Sequence, residues 1–207
     1  MVTEEKSLVF LCVIMYNDLM KKIEGQNMPI KICVAGARET SHCGMDALDM
    51  AEQLGVSIAN HGCVTTGAAV AGFCMWALRG AKRAGGMTVA FSPAANLHEH
   101  TTTYRLPTEN IDALVYTGFG YAGSDLLMMR SSDAIVFGCG RIGTVHEFTV
   151  AFQERKPIGI LEGDWDTAEL LRDIMARDIE RPHDNIVFDK DPNRLVEQLI
   201  KIVREQK

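Results

Sequence analysis

From residue 30 onward, short apolar runs alternate with longer stretches in which apolar positions recur every three or four residues. The short runs predict strands at 30–35, 56–59, 87–91, 113–117, 134–137, 157–161 and 185–188. The longer ones predict helices at 44–54, 68–84, 121–131, 143–154, 166–178 and 191–205. Such an exchange of period predicts an α/β fold, a mostly parallel sheet covered by helices on both faces. The last helix is the clearest: Leu195, Val196, Leu199, Ile200 and Val203 share one face while Glu197, Gln198, Lys201 and Arg204 take the other. Asp191-Pro192 supplies a cap and a first-turn proline at its start.

The apolar run 8–16 has nine residues and is followed by Asn17 and Asp18, too short to span a bilayer and without a cleavage signal. Residues 1–29 are accordingly expected to form a helical extension, centred on 4–24, ahead of a single domain over 30–207. Interspersed polar positions and only 6 prolines among 207 residues argue against a linker that would divide that domain. A formal charge of -6 gives no general electrostatic support for nucleic-acid binding. The six cysteines, at 12, 33, 43, 63, 74 and 139, contain no CxxC pair and mostly adjoin apolar residues. Reduced core thiols in a cytoplasmic protein are the expectation, with a reactive Cys139 as the alternative.

Ligands of an open parallel sheet sit beyond the carboxyl ends of its strands. The segments in that position, 36–44, 60–67, 92–110, 118–124 and 138–143, are rich in Gly, Ser or Thr and propose one composite pocket. Gly36 and Arg38 suit a phosphate, Arg38 being alternatively a solvated loop cation. His42 has three open readings: cap, ligand contact or exposed residue. Thr66 and Gly67 suit either approach of a ligand to backbone amides or close helix-to-sheet packing. Residues 118–123 have the literal GxGxxG spacing, but Ile135 to Gly138 supply no acid to hold a ribose, which disfavours a conventional dinucleotide site. The turn Gly138 to Thr144 combines several features: Gly138, Gly140 and Gly143 for tight turning, Arg141 for charge, Thr144 for a hydroxyl. Glu147, one helical turn on, is either a surface residue or a site carboxylate that positions a ribose or a water. Asp125 is a second candidate acid, with helix capping as its alternative. The run Leu97-His98-Glu99-His100 does not define a three-ligand geometry, and no metal is expected.

Residues 30–190, through Ile32-Cys33-Val34-Ala35-Gly36, Thr66-Gly67 to Gly86, and Ser132-Asp133-Ala134-Ile135-Val136 to Ile158-Gly159-Ile160-Leu161, resemble the LOG-like family often labelled lysine-decarboxylase-like. Its better-characterised members are nucleoside-monophosphate phosphoribohydrolases, and the chain is also similar to the related molybdenum-cofactor carrier proteins. The family signature PGGxGTxxE falls on Cys139 to Glu147, with Cys139 in place of proline and Arg141 in place of the second glycine. The Arg-Lys of the hydrolase pattern falls on Ser124 and Asp125, so the usual catalytic arginine position is Ser124.

The resemblance implies a Rossmann-like domain, a homo-oligomer with the dimer as the simplest form, and a phosphorylated small molecule as partner; the charge balance and the short apolar run point to neither nucleic acid nor membrane. Gly36, Arg38, Thr66, Gly67, Gly138, Gly140, Arg141, Gly143 and Thr144 are its expected binding residues, and Glu147 its expected catalytic residue. Two functions stand side by side. One is binding of a phosphorylated nucleotide or nucleotide-like cofactor with hydrolysis of its N-glycosidic bond; the other is noncatalytic carriage of a phosphorylated cofactor such as a molybdenum-cofactor-like ligand.

Overall fold

The computed structural model describes residues 28–177 and 184–206. The helical extension expected at 4–24 lies outside the described residues.

Seven parallel strands form one sheet: β1 (Lys31–Ala35), β2 (Val64–Ala68), β3 (Thr88–Ser92), β4 (Ala113–Tyr116), β5 (Ala134–Phe137), β6 (Ile158–Leu161) and β7 (Ile186–Asp189). Their spatial order is β4-β3-β2-β1-β5-β6-β7. The α-helices are α1 (Ala47–Asn60), α2 (Phe73–Arg83), α3 (Gly120–Ser131), α4 (Ile142–Gln153) and α5 (Thr167–Met175) between strands and α6 (Pro192–Glu205) after β7, and a short π-helical turn, Glu99–Thr103, joins β3 to β4. The protein is thus a single Rossmann-like α/β domain.

Strand periodicity separates the two halves of the core. Ile32, Val34, Ala134 and Val136 pack with Leu54 and Ile58 of α1, Phe73 of α2 and Leu195, Leu199 and Val203 of α6. Their neighbours Cys33, Ala35, Ile135 and Phe137 point through the other face onto Met128 and Met129 of α3, Phe148 of α4 and Leu171 of α5. Both faces of β1 and β5 are therefore dry, which is why these strands read as unbroken apolar runs. The α6 prediction is met at both levels: Asp191 Oδ1 accepts from the amides of Asn193 and Arg194, and the five expected apolar residues are buried. Among the described residues no helix is long and apolar enough to cross a membrane.

Two assignments are corrected. Residues 56–59, expected as a strand, complete α1, and the second strand is instead Val64–Ala68. Gly55 looks like a helix stop but is a packing residue: a methyl group there would overlap the carbonyl of Ala77, and one at Gly80 would overlap that of Glu52. Bare backbone at these two positions lets α1 and α2 lie against each other, and Ile58 then continues the buried stripe of Ala47, Ala51 and Leu54.

Candidate functional site

The chain runs outward from β1 through β2 and β3 to β4, and then returns to place β5 on the other side of β1. The gap beyond the carboxyl ends of β1 and β5 is the place where a doubly wound sheet takes its ligands. A cavity of about 250 Å³ occupies it, walled by the loop after β1, the segment from β2 into α2, the first turns of α3 and the start of α4.

These walls are tied together by main chain. The amide of Ala37 donates to the carbonyl of Cys139 at 2.6 Å, and the amide of Phe73 donates to the carbonyl of Ala37 at 2.9 Å. Gly72, with φ +90°, brings its backbone so close to the carbonyls of Ala37 and Arg38 that a Cβ would overlap both. Cys43 and Cys139, read from the sequence as reduced core thiols, are joined in a disulfide with Cα atoms 5.9 Å apart. Each lies in a loop at the switch point, and 96 positions of sequence conceal their proximity.

Of the expected site residues, Gly36, Arg38, Arg141, Gly143, Thr144 and Glu147 line the cavity, as do His42 and Asp125. The Arg38 guanidinium lies 4.1 Å from the centre of the Tyr121 ring, which stations its charge across the pocket from α4. Gly143, in the first turn of α4, has open space where a Cβ would stand. That turn presents amides with no intrahelical acceptor.

The other expected residues lie behind this wall. Thr66 is buried within β2, its hydroxyl 2.8 Å from Ser132 Oγ, and a Cβ on Gly67 would overlap Cys74 Sγ. The flat face of Gly138 receives the Phe73 ring. Gly140 gives its amide to Thr167 Oγ1 at 2.8 Å and accepts from the same hydroxyl at 3.0 Å, and its missing side chain makes room for Thr144. Ser124, at the place of the family arginine, is buried outside the cavity lining.

Sequence reasoning supplied Glu147 without its environment. It is 8% exposed, and burial raises its carboxyl well above the usual carboxylate range. Asp125 raises it further and the charge of Arg38 pulls it back. Asp125 is itself raised, chiefly by burial, against the opposing charges of His146 and Arg38. Cys74, on the cavity floor, is pushed up to about 12 by burial and by Glu147, and it donates to the Ala68 carbonyl at 3.3 Å. It is therefore a protonated thiol with little nucleophilic character.

Within the 97–100 run, Leu97 and His98 are exposed and His100 is packed inside the fold. His100 is buried with Nδ1 at 2.8 Å from Ser92 Oγ and Nε2 at 2.9 Å from the Pro107 carbonyl. Because a carbonyl only accepts, Nε2 carries a proton toward Pro107.

The sequence profile of the SLOG cluster4 family matches residues 29–196. An uncharacterized protein of Archaeoglobus fulgidus is 29% identical over 133 residues, 64% of this chain and 80% of that one. The molybdenum cofactor carrier protein of Chlamydomonas reinhardtii superposes with a TM-score of 0.67 at 26% identity, over 84% of this chain and 99% of that one. The molybdenum cofactor binding protein of the phototrophic bacterium Rippkaea orientalis gives 0.66 at 25% identity, over 86% and 99%.

Proposed function

The chain belongs to the SLOG cluster4 family, and on that premise we propose that the cavity between β1 and β5 binds a phosphorylated, nucleotide-like cofactor and carries it without cleaving it. The observation that carries this reading is the meeting of Arg38, Arg141 and the open first turn of α4 around one cavity. Cationic side chains and helix-start amides together hold an anion with direction as well as charge. At about 250 Å³ the cavity is below the roughly 300–1,000 Å³ of most whole-ligand sites, so it suits a phosphate with its sugar or equivalent ring while the remainder crosses the open mouth. The cofactor named for the Chlamydomonas and Rippkaea proteins makes a molybdenum-cofactor-like ligand the first candidate.

The test is native mass spectrometry of the gently purified chain, followed by denaturing extraction. An intact phosphorylated compound recovered at a fixed stoichiometry supports carriage. A ligand-free chain that binds neither nucleoside monophosphates nor a molybdopterin-type cofactor rejects it.

A second reading, hydrolysis of an N-glycosidic bond, is favoured by the Glu147 and Asp125 pair. A carboxylate of raised proton affinity is the stronger base toward an attacking water, and a second acid beside it, once ionised, can stabilise positive charge growing on a sugar carbon. Release of free base and ribose phosphate from a nucleotide, lost in Glu147→Gln while binding persists, would establish it.

Self-assembly belongs to the same proposal: Val115, Phe119, Leu126 and Leu127 leave apolar surface exposed around the β4 edge and α3. The native mass spectrum reads that state directly.

A further inference from the structure

His42 stands at the disulfide with one ring nitrogen aimed at both sulfurs. Its Nε2 lies 3.7 Å from Cys139 Sγ and 3.9 Å from Cys43 Sγ. These three potential ligand atoms lie within 4.8 Å of one another. The other ring nitrogen, Nδ1, is buried without a hydrogen-bond partner and faces Glu39 Oε2 at 3.9 Å.

The two sulfur-to-nitrogen spacings match two edges of a metal centre. With zinc–sulfur bonds near 2.3 Å and zinc–nitrogen bonds near 2.0–2.1 Å, a sulfur and a nitrogen on one edge of a tetrahedron are separated by roughly 3.6 Å. Both sulfur-to-nitrogen distances are within a few tenths of an ångström of that value. A carboxylate behind the second nitrogen is the usual outer partner of a metal-bound histidine, fixing its tautomer and ring plane. Cys139 occupies the signature position that is proline in the family pattern, so this chain has a ligand where the pattern has none.

We propose that the dithiol form of this cluster binds one thiophilic divalent cation, zinc foremost, through Cys43 Sγ, Cys139 Sγ and His42 Nε2, with a fourth position left for water or a small ligand. The disulfide is the oxidised state of the same centre. A dithiol reductant converts it by exchange: two electrons and two protons pass to Cys43 and Cys139, and the reductant leaves as its own disulfide. Cys43 is the half-buried sulfur open to attack, and the buried Cys139 is the leaving thiol. Metal binding then releases both thiol protons to solvent, the sulfurs stand roughly 3.8 Å apart, and two thiolates balance the charge of the cation. Neutral His42 gives its Nε2 lone pair while Nδ1–H turns to Glu39.

The experiment is anaerobic Co²⁺ titration of the full chain after reduction with a dithiol and desalting, with native-state thiol counts before and after. The count is expected to rise by two, against the background of buried Cys33, Cys63 and Cys74 and of Cys12, which lies outside the described residues. One equivalent of Co²⁺ should then give thiolate-to-cobalt charge transfer and the intense visible bands of tetrahedral cobalt, displaced by Zn²⁺. The spectrum should vanish in Cys139→Ser and in Cys43→Ser. His42→Ala, which leaves the disulfide possible and so controls for folding, should weaken binding by at least about tenfold, and Glu39→Gln by about 10–100-fold. A folded chain whose thiol count does not rise, or whose reduced form takes up no cobalt, overturns the proposal. So does a cobalt spectrum that survives in Cys139→Ser or is unchanged in His42→Ala.

Discussion

Asp125 drives the Glu147 carboxyl in the same upward direction as its own burial does, so two acids that resist ionisation share one cavity. A carboxyl raised in the folded state keeps a proton that the unfolded chain releases. Its effect on stability is therefore a loss that begins as pH rises past the ordinary glutamate value of 4.5 and grows until the folded group ionises. Glu147→Gln removes that loss. The variant should match the parent below about pH 4 and exceed it at neutral pH, with the two curves diverging by at most about 1.4 kcal/mol per pH unit. Urea midpoints measured across pH test this, and parallel curves would refute it.

Arg38 is the cation best placed to meet a phosphate, since Tyr121 holds its guanidinium 4.1 Å from the ring centre and over the pocket. Arg38→Met keeps the length and removes the charge. It should cost a nucleoside monophosphate about 1.5–3 kcal/mol of binding and leave the matching nucleoside nearly unaffected. Calorimetry on the pair decides it; equal losses for both compounds would take Arg38 away from the phosphate.

Gly143 has room for a methyl group within the protein, so packing does not require a glycine there, and on the proposed function its bareness admits the ligand. Gly143→Ala should raise stability by up to about 1 kcal/mol through helix propensity and still weaken phosphate binding about tenfold. An alanine variant that binds as well as the parent means the first turn of α4 is not a contact surface.

Thr66 separates structure from binding. Its hydroxyl donates to Ser132 Oγ, while Ser132 in turn donates to the Met128 carbonyl at 3.0 Å. Thr66→Val should lower stability by about 1 kcal/mol with ligand affinity intact, and a loss of affinity without a loss of stability would contradict this placement.

Most of the sheet was legible because β1, β5 and β6 are apolar on both faces and their helices keep a 3.6-residue period. The second strand was not. In Val64-Thr65-Thr66-Gly67-Ala68 the hydroxyls and the glycine resemble a loop, and their partners, Ser132 and Cys74, lie far off in sequence. Gly55 misled in the opposite direction, since a glycine chosen for helix contact looks the same in sequence as one chosen to end a helix. At the site, the loop after β5 and Glu147 were readable from residue type and spacing. The disulfide depends on a convergence of the loops after β1 and β5 that only the strand order creates, whereas Arg38 was legible as a pocket cation from its place after the first strand.

The main-chain wall formed at Gly72 has a consequence for what the protein can be made to recognise. Backbone pressed against backbone fixes the path of the loop after β1, so a change of side chain there alters the lining without moving the wall. The bank built by α3 adds Tyr121 and Asp125 to the lining. Altered selectivity, whether engineered or inherited, is therefore to be sought in the side chains of that loop and of α3 and not in the main chain between them.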